Sequence, residues 1–293
     1  MTGDASGSTR DNAIQDNGAG QMDELQDEQH IAVERDGAVA VVRLSRPARR
    51  NAYTPLMAAQ LTAALTELDA DPDIRAVVVT GAGPYFSVGA DLDMDWRSAA
   101  AHGVETLTDP DSAPWRLATP IIGAINGDAI GVALTWAMQW DIRVVARDAR
   151  IAFSFNRIGI IPDRNSTWLL PRLVGFAIAM DLLLTGRTIT GEEAARLGLA
   201  SRCVPAGQVL DEALAIARDI AVNCAPASVT VTKRLMYDFL EQADRTRAYN
   251  YERRTLNWIR TLGETVRGIS AFKSRSAPQW GSSKHVTIPA DLR

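Results

Sequence analysis

The sequence is poor in the residues that build metal centres and disulfide frameworks. It holds two cysteines, Cys203 and Cys224, and three histidines, His30, His102 and His285. None stands at a metal-ligand spacing, so neither a zinc module nor a disulfide-rich exterior domain fits. No apolar run approaches the roughly 20 residues needed to span a bilayer. The opening MTGDASGSTRDNAIQDNGAGQ has neither the basic start nor the apolar core of a secretion signal. These absences predict a cytoplasmic protein with no membrane partner. Clustered positive charge is missing too. The first 29 residues carry seven acids against Arg10, a net −6 within a chain total of −4, which leaves the remainder near +2. That balance predicts no nucleic-acid partner.

What is present is enough for a large core: 293 residues, 46% of them apolar. Residues 1–29 can bury little and are expected to form a disordered acidic tail. From His30, HIAVERDGAVAVVRLS reads as two strands around the Asp36-Gly37 turn pair. After the polar connector RPARRNAYTP, Thr54-Pro55 caps and starts a helix with Leu61, Leu65 and Leu68 at helical spacing, ended by Asp71-Pro72. IRAVVVTG and TPIIGAING read as buried strands, separated by an Ala-rich helical stretch. IRVVA and RIAFSF follow as strands. This alternation predicts an α/β core over 30–205, and the helical periodicity beyond predicts a helical region over 206–293.

The glycine loop GAGPYFSVGADL follows a strand, as a dinucleotide loop would. The required G-x-G-x-x-G is broken, because Phe86 stands at the third glycine site. No P-loop, zinc-binding histidine pair or nucleophile elbow occurs. A second glycine-bearing loop, NGDAIGVALTWAMQWD, opens a helix-like run. If the loops 81–91 and 126–132 converge, each offers a backbone N–H, near Ala90 and Val132. Two such donors make an oxyanion hole, each contributing roughly 3–4 kcal/mol to a transition state. On the residues alone the plainer reading stands: both are ordinary strand-to-helix turns.

Taken together, RPARRNAYTP, VVVTGAGPYFSVGADL, TPIIGAINGDAIGVALTWAMQWDIRVVARDARIAFSF and IGIIPDRNSTWLLPRLVG resemble the crotonase family, the enoyl-CoA hydratase/isomerase superfamily. TGRTITGEEAARLGLASRCVP and AFKSRSAPQW extend the resemblance, which runs from about residue 30 to 280. It implies a crotonase (ClpP-like) spiral of strand-strand-helix units with a helical C-terminal region. It also implies an acyl-CoA thioester substrate and a homotrimer or dimer of trimers. CoA would arrive with the substrate, with no metal and no other cofactor.

The resemblance maps the oxyanion donors to Ala90 and Val132. It sets the two hydratase glutamates at Thr135 and Phe155, neither of which can activate water. A third position, used for a catalytic carboxylate by isomerases of the family, is Asp163. One carboxylate suffices to remove a proton at one carbon and return it at another, so a double-bond shift or related hydratase-type chemistry in acyl-chain degradation is expected. Hydrolysis, a lyase reaction, and a non-catalytic acyl-CoA binder are the alternatives. For Asp163 the plainer role is the N-cap of the helix starting at RNSTWLL, with Arg164 as its ion-pair partner. The acyl pocket is expected at Trp96, Thr135, Trp136, Phe155 and Trp168. CoA contacts are expected at Ser87, Gly89, Asp91, Phe272 and Lys273, and Arg46, Arg49 and Arg50 can approach its phosphates.

Overall fold

The turn at Asp36-Gly37 does what its residues require. Gly37 takes a left-handed φ of 60°, and strands β1 (Ile31–Asp36) and β2 (Val39–Leu44) pair antiparallel across it. The structure is a computed structural model that describes residues 29–94 and 113–292. Trp96, the Ala-rich stretch around it and nearly all of the expected acidic tail lie outside the described residues.

Thr54 caps α1 (Pro55–Ala70) as expected, its Oγ1 accepting from the Met57 N–H at 3.0 Å. Then come β3 (Ala76–Gly81), β4 (Ile121–Ile125), the short β5 (Ala129–Ile130) and a six-residue helix, α2 (Val132–Ala137). Strands β6 (Ile142–Ala146), β7 (Arg150–Ala152), β8 (Thr188–Thr190) and β9 (Arg202–Val204) complete the sheets. Between them lie α3 (Ser166–Val174), α4 (Phe176–Thr185) and α5 (Gly191–Arg196). The last part is helical: α6 (Val209–Asn223), α7 (Pro226–Leu240), α8 (Arg245–Arg260) and α9 (Glu264–Ser274). Among the described residues, no strand follows Val204.

One sheet has six strands in the order β1-β2-β3-β4-β6-β9, parallel from β2 onward. Its inner strands are buried on both faces, which is why β3 and β4 read as unbroken apolar runs. A three-stranded sheet, β5-β7-β8, stands beside it. Two expectations are corrected here. RIAFSF is a strand only through Ala152, and Ser154–Ile158 turns as a 3₁₀ helix. Helix α3 starts at Ser166, with Asn165 and not Asp163 in the cap position. Among the described residues, no single helix is long and apolar enough to cross a membrane.

The C-terminal helices are tied to the core by buried charge. Lys233 of α7 reaches Asp141 Oδ2 at 2.9 Å, with both side chains largely buried. The same carboxylate accepts from the Ile121 N–H at 2.8 Å and from the Tyr237 hydroxyl at 3.2 Å. Lys284 donates to the Leu68 and Ile74 carbonyls and to Thr119 Oγ1, and burial outweighs Asp69 and Asp71 to bring its amine down to about 8. Removing one partner of a buried pair strands the other. Asp141→Ala is therefore expected to lower unfolding free energy by about 3–5 kcal/mol, read from the denaturant midpoint at unchanged slope. A change below about 1 kcal/mol would show that the pair behaves as a surface bridge.

Candidate functional site

Two asparagines shape the first glycine loop. Asn51, fully buried with a left-handed φ of 54°, points its amide nitrogen at the carbonyls of Ala82, Tyr85 and Phe86 within 3.1 Å. Asn126 accepts from the Gly81 N–H and donates to the Gly81 and Gly83 carbonyls. The chain leaving this loop is extended and held on both sides. Tyr53 N–H donates to the Gly89 carbonyl at 2.7 Å, and Asp91 N–H donates to the Tyr53 carbonyl at 2.9 Å. Successive N–H groups of an extended chain point oppositely. With Asp91 turned toward Tyr53, the Ala90 N–H faces the other way.

On that other side lies the second loop. Ser87 N–H donates to Asp128 and the Ser87 carbonyl accepts from Ile130, so residues 87 and 129 pair as a bridge. Gly89, at φ 90°, approaches so closely that a Cβ there would sit 2.7 Å from the Ile130 carbonyl oxygen. Gly131 then turns the chain at φ 56° and ψ −125°, a conformation open to glycine, and starts α2. Neither the Ala90 nor the Val132 N–H donates to any acceptor among the described residues. Free N–H groups in the first turn of a helix are the normal consequence of helix geometry. Beyond the end of α2, Arg143 donates to the Trp140 carbonyl at 2.6 Å.

A carboxylate meets this arrangement. Asp163 Oδ1 lies 2.5 Å from Thr135 Oγ1, and that oxygen lies 3.1 Å from the Val132 carbonyl. The acid thus sits within one helical turn of the second donor. Burial pushes its carboxyl above the ordinary range, outweighing the Thr135 hydroxyl and the positive charge of Arg164. Arg164 stacks over Trp136 with its guanidinium carbon 4.4 Å from the ring centre, and donates to the Tyr53 hydroxyl at 2.8 Å. Tyr53 in turn meets Trp136 edge-on at 5.0 Å.

The enoyl-CoA hydratase/isomerase sequence profile matches residues 34–283. The chain belongs to the enoyl-CoA hydratase/isomerase family. Probable enoyl-CoA hydratase echA8 of Mycobacterium bovis is 35% identical over 254 residues, covering 85% of this chain and 97% of that protein. A probable enoyl-CoA hydratase/isomerase from Mycobacterium abscessus superposes with a TM-score of 0.77 at 39% identity, covering 86% of this chain and 98% of that one. A monofunctional enoyl-CoA isomerase from M. smegmatis superposes at 0.65 with 30% identity, covering 75% and 97%. The fold is thus the crotonase fold of the family's solved enoyl-CoA hydratases.

Within this family member, the remaining expected residues fall into distinct settings. Thr135, Trp136 and Phe155 are buried, and the Phe155 ring is 4.0 Å from where a Gly131 Cβ would be. Trp168 is half-buried on α3 under the Arg172 guanidinium, 3.8 Å away, and packs on the core. Ser87 is buried, its backbone committed to joining the loops. Asp91, expected at CoA, is instead engaged within the protein. It is 5% exposed and bridges Arg46 at 3.0 Å and Arg49 at 2.9 Å. Burial alone would raise its carboxyl, but the two arginine hydrogen bonds hold it below the ordinary range. The arginines, not Asp91, carry the charge suited to a CoA phosphate. Phe272 and Lys273 are exposed on α9.

The sequence reading missed Asn51, Tyr53 and Gln139. Gln139 donates to the Arg164 carbonyl at 2.6 Å. Its only signal was the i, i+4 spacing from Thr135, although α2 ends at Ala137 and Gln139 lies in the turn that follows.

Proposed function

We propose that this protein isomerises enoyl-CoA thioesters, with Asp163 as the single proton shuttle. The observation that carries the reading is a half-buried carboxylate held at the first turn of α2, near two N–H donors that have no acceptor among the described residues. With a 3-enoyl thioester, the Asp163 carboxylate removes a C2 proton. The C–H electrons enter the conjugated dienolate and the negative charge gathers on the thioester oxygen, which accepts from Ala90 and Val132. Return of the proton to C4 gives the 2-enoyl thioester and restores the carboxylate. Thr135 and Phe155, at the positions of the two hydratase glutamates, supply no base for water. Hydration is the second reading, favoured by the names of relatives such as echA8.

The reading extends to assembly and setting. Phe176, Met180 and Leu184 form an exposed apolar stripe on α4, and Val266, Ile269 and Phe272 another on α9. Stripes of this kind are covered in assemblies, which supports a homotrimer or dimer of trimers with Phe272 and Lys273 near CoA. Cys203 and Cys224 are free thiols, which suits a reducing cytoplasm and a place in acyl-chain degradation.

Turnover of 2-enoyl- and 3-enoyl-CoA panels, with products separated chromatographically, tests the reaction. Interconversion of the two isomers is expected; a 3-hydroxyacyl product alone would replace isomerase by hydratase. A pH profile adds a second check. Because Asp163 must be ionised to accept the proton, kcat/KM is expected to fall as pH drops through a limb above the ordinary carboxylate range. A flat profile down to pH about 4 would remove Asp163 from the reaction.

A further inference from the structure

Thr135 is completely buried, so it does not touch a substrate, and yet it makes the shortest contact of the site. Its single hydroxyl hydrogen faces two acceptors, Asp163 Oδ1 at 2.5 Å and the Val132 carbonyl at 3.1 Å. A hydroxyl rotates to suit its partners. With Asp163 ionised, the hydroxyl donates to the carboxylate. With Asp163 protonated at Oδ2, Oδ1 becomes the acid's carbonyl oxygen and still accepts from the Thr135 hydroxyl, with the Val132 carbonyl as that hydroxyl's second acceptor. Neither state leaves a buried oxygen without a partner, whereas a methyl group in place of Oγ1 would leave one in both.

The turn that carries Asp163 needs such a hold. Arg164 and Asn165 both take left-handed φ values, 47° and 58°, which side chains other than glycine seldom adopt. One helical turn beyond Thr135, Gln139 fixes the same turn by donating to the Arg164 carbonyl at 2.6 Å. Thr135 and Gln139 therefore clamp the acid's turn from one face of the polypeptide that follows Gly131.

We propose that Thr135 is the positioning residue of this site, its hydroxyl donating to Asp163 Oδ1 through both halves of the proton transfer and leaving Oδ2 to meet the reacting carbon. The proposal rests on Asp163 as the shuttle and assigns a task to a position where a hydratase of the family would carry a glutamate. The other polar groups facing Asp163 are its own backbone N–H, Arg164 in its own turn and the Tyr53 phenol from the segment before α1, and a change at Thr135 removes none of them.

The test uses the full chain with Thr135→Val, Thr135→Ser and Asp163→Asn. Below the wild-type acid limb, Thr135→Val is expected to lose about ten- to hundredfold in kcat/KM, the value of a hydrogen bond to a charged group. Its limb moves to higher pH, because the lost donor favoured the ionised acid, and Thr135→Ser restores the wild-type limb. Carbon-13 titration of labelled aspartate carboxyls reads the same hold without turnover. The resonance absent in Asp163→Asn marks Asp163, and its midpoint should rise in Thr135→Val and not in Thr135→Ser. Thr135→Ala, lacking the same hydroxyl, gives the same displacement should the valine variant fail to fold. An unchanged midpoint in the hydroxyl-less variants overturns the proposal. Full isomerase turnover in Asp163→Asn overturns the shuttle instead, and the titration still decides what Thr135 holds.

Discussion

Asp163→Asn is expected to lower kcat for the double-bond shift by about 10²–10⁴-fold, the usual worth of a positioned acid–base group. Asparagine has the same shape and still accepts from the Thr135 hydroxyl, so the loss reports the proton and not the packing. Stability should move the opposite way. A carboxyl whose folded value is raised favours the fold below its unfolded value, and that advantage is lost as pH climbs through the folded value. At neutral pH the ionised Asp163 is thus a cost, and the asparagine variant should melt at the same temperature or higher. Such a trade of stability for activity is typical of working sites. Steady-state kinetics with thermal melts on one preparation read both, and an active or markedly less stable variant would mean that Asp163 is a structural acid.

Gly89→Ala should be nearly as damaging to turnover, by a different route. Position 89 combines a φ of 90° with a would-be Cβ only 2.7 Å from the Ile130 carbonyl oxygen. That oxygen is backbone, so the loops themselves must part. The Ala90 N–H would then leave its aim beside Val132, and losing one oxyanion donor costs about 10²–10³-fold in kcat. Gly37→Ala is the control. Gly37 also has a positive φ, 60°, yet nothing lies within 4 Å of its would-be Cβ, so only a stability loss is expected there. Equal kcat in the two variants would show that loop convergence does not aim the donor.

Both predictions rest on features of different legibility. The hairpin at Asp36-Gly37, the cap at Thr54 and the buried strands β3 and β4 were readable because each signal is local: a turn pair, a cap, an apolar run. The glycines of the two loops were readable as turns, and the resemblance turned them into donors. Phe155 was misplaced in a strand, since RIAFSF has the composition of one while the chain turns after Ala152. Asp163 looked like a helix cap for the same local reason, an acid ahead of a helix.

The family, the α/β crotonase fold and the candidate positions Ala90, Val132 and Asp163 were thus legible in the sequence. Tertiary structure decided the settings of those residues. The direction of the Ala90 N–H follows from hydrogen bonds to Tyr53, far back in the chain. The setting of Asp163 follows from Thr135 on α2, 28 residues earlier in the chain, and that of Asp91 from Arg46 and Arg49. Hydrogen-bond direction and burial are properties of neighbours brought together by folding, and no local pattern of residue types encodes them.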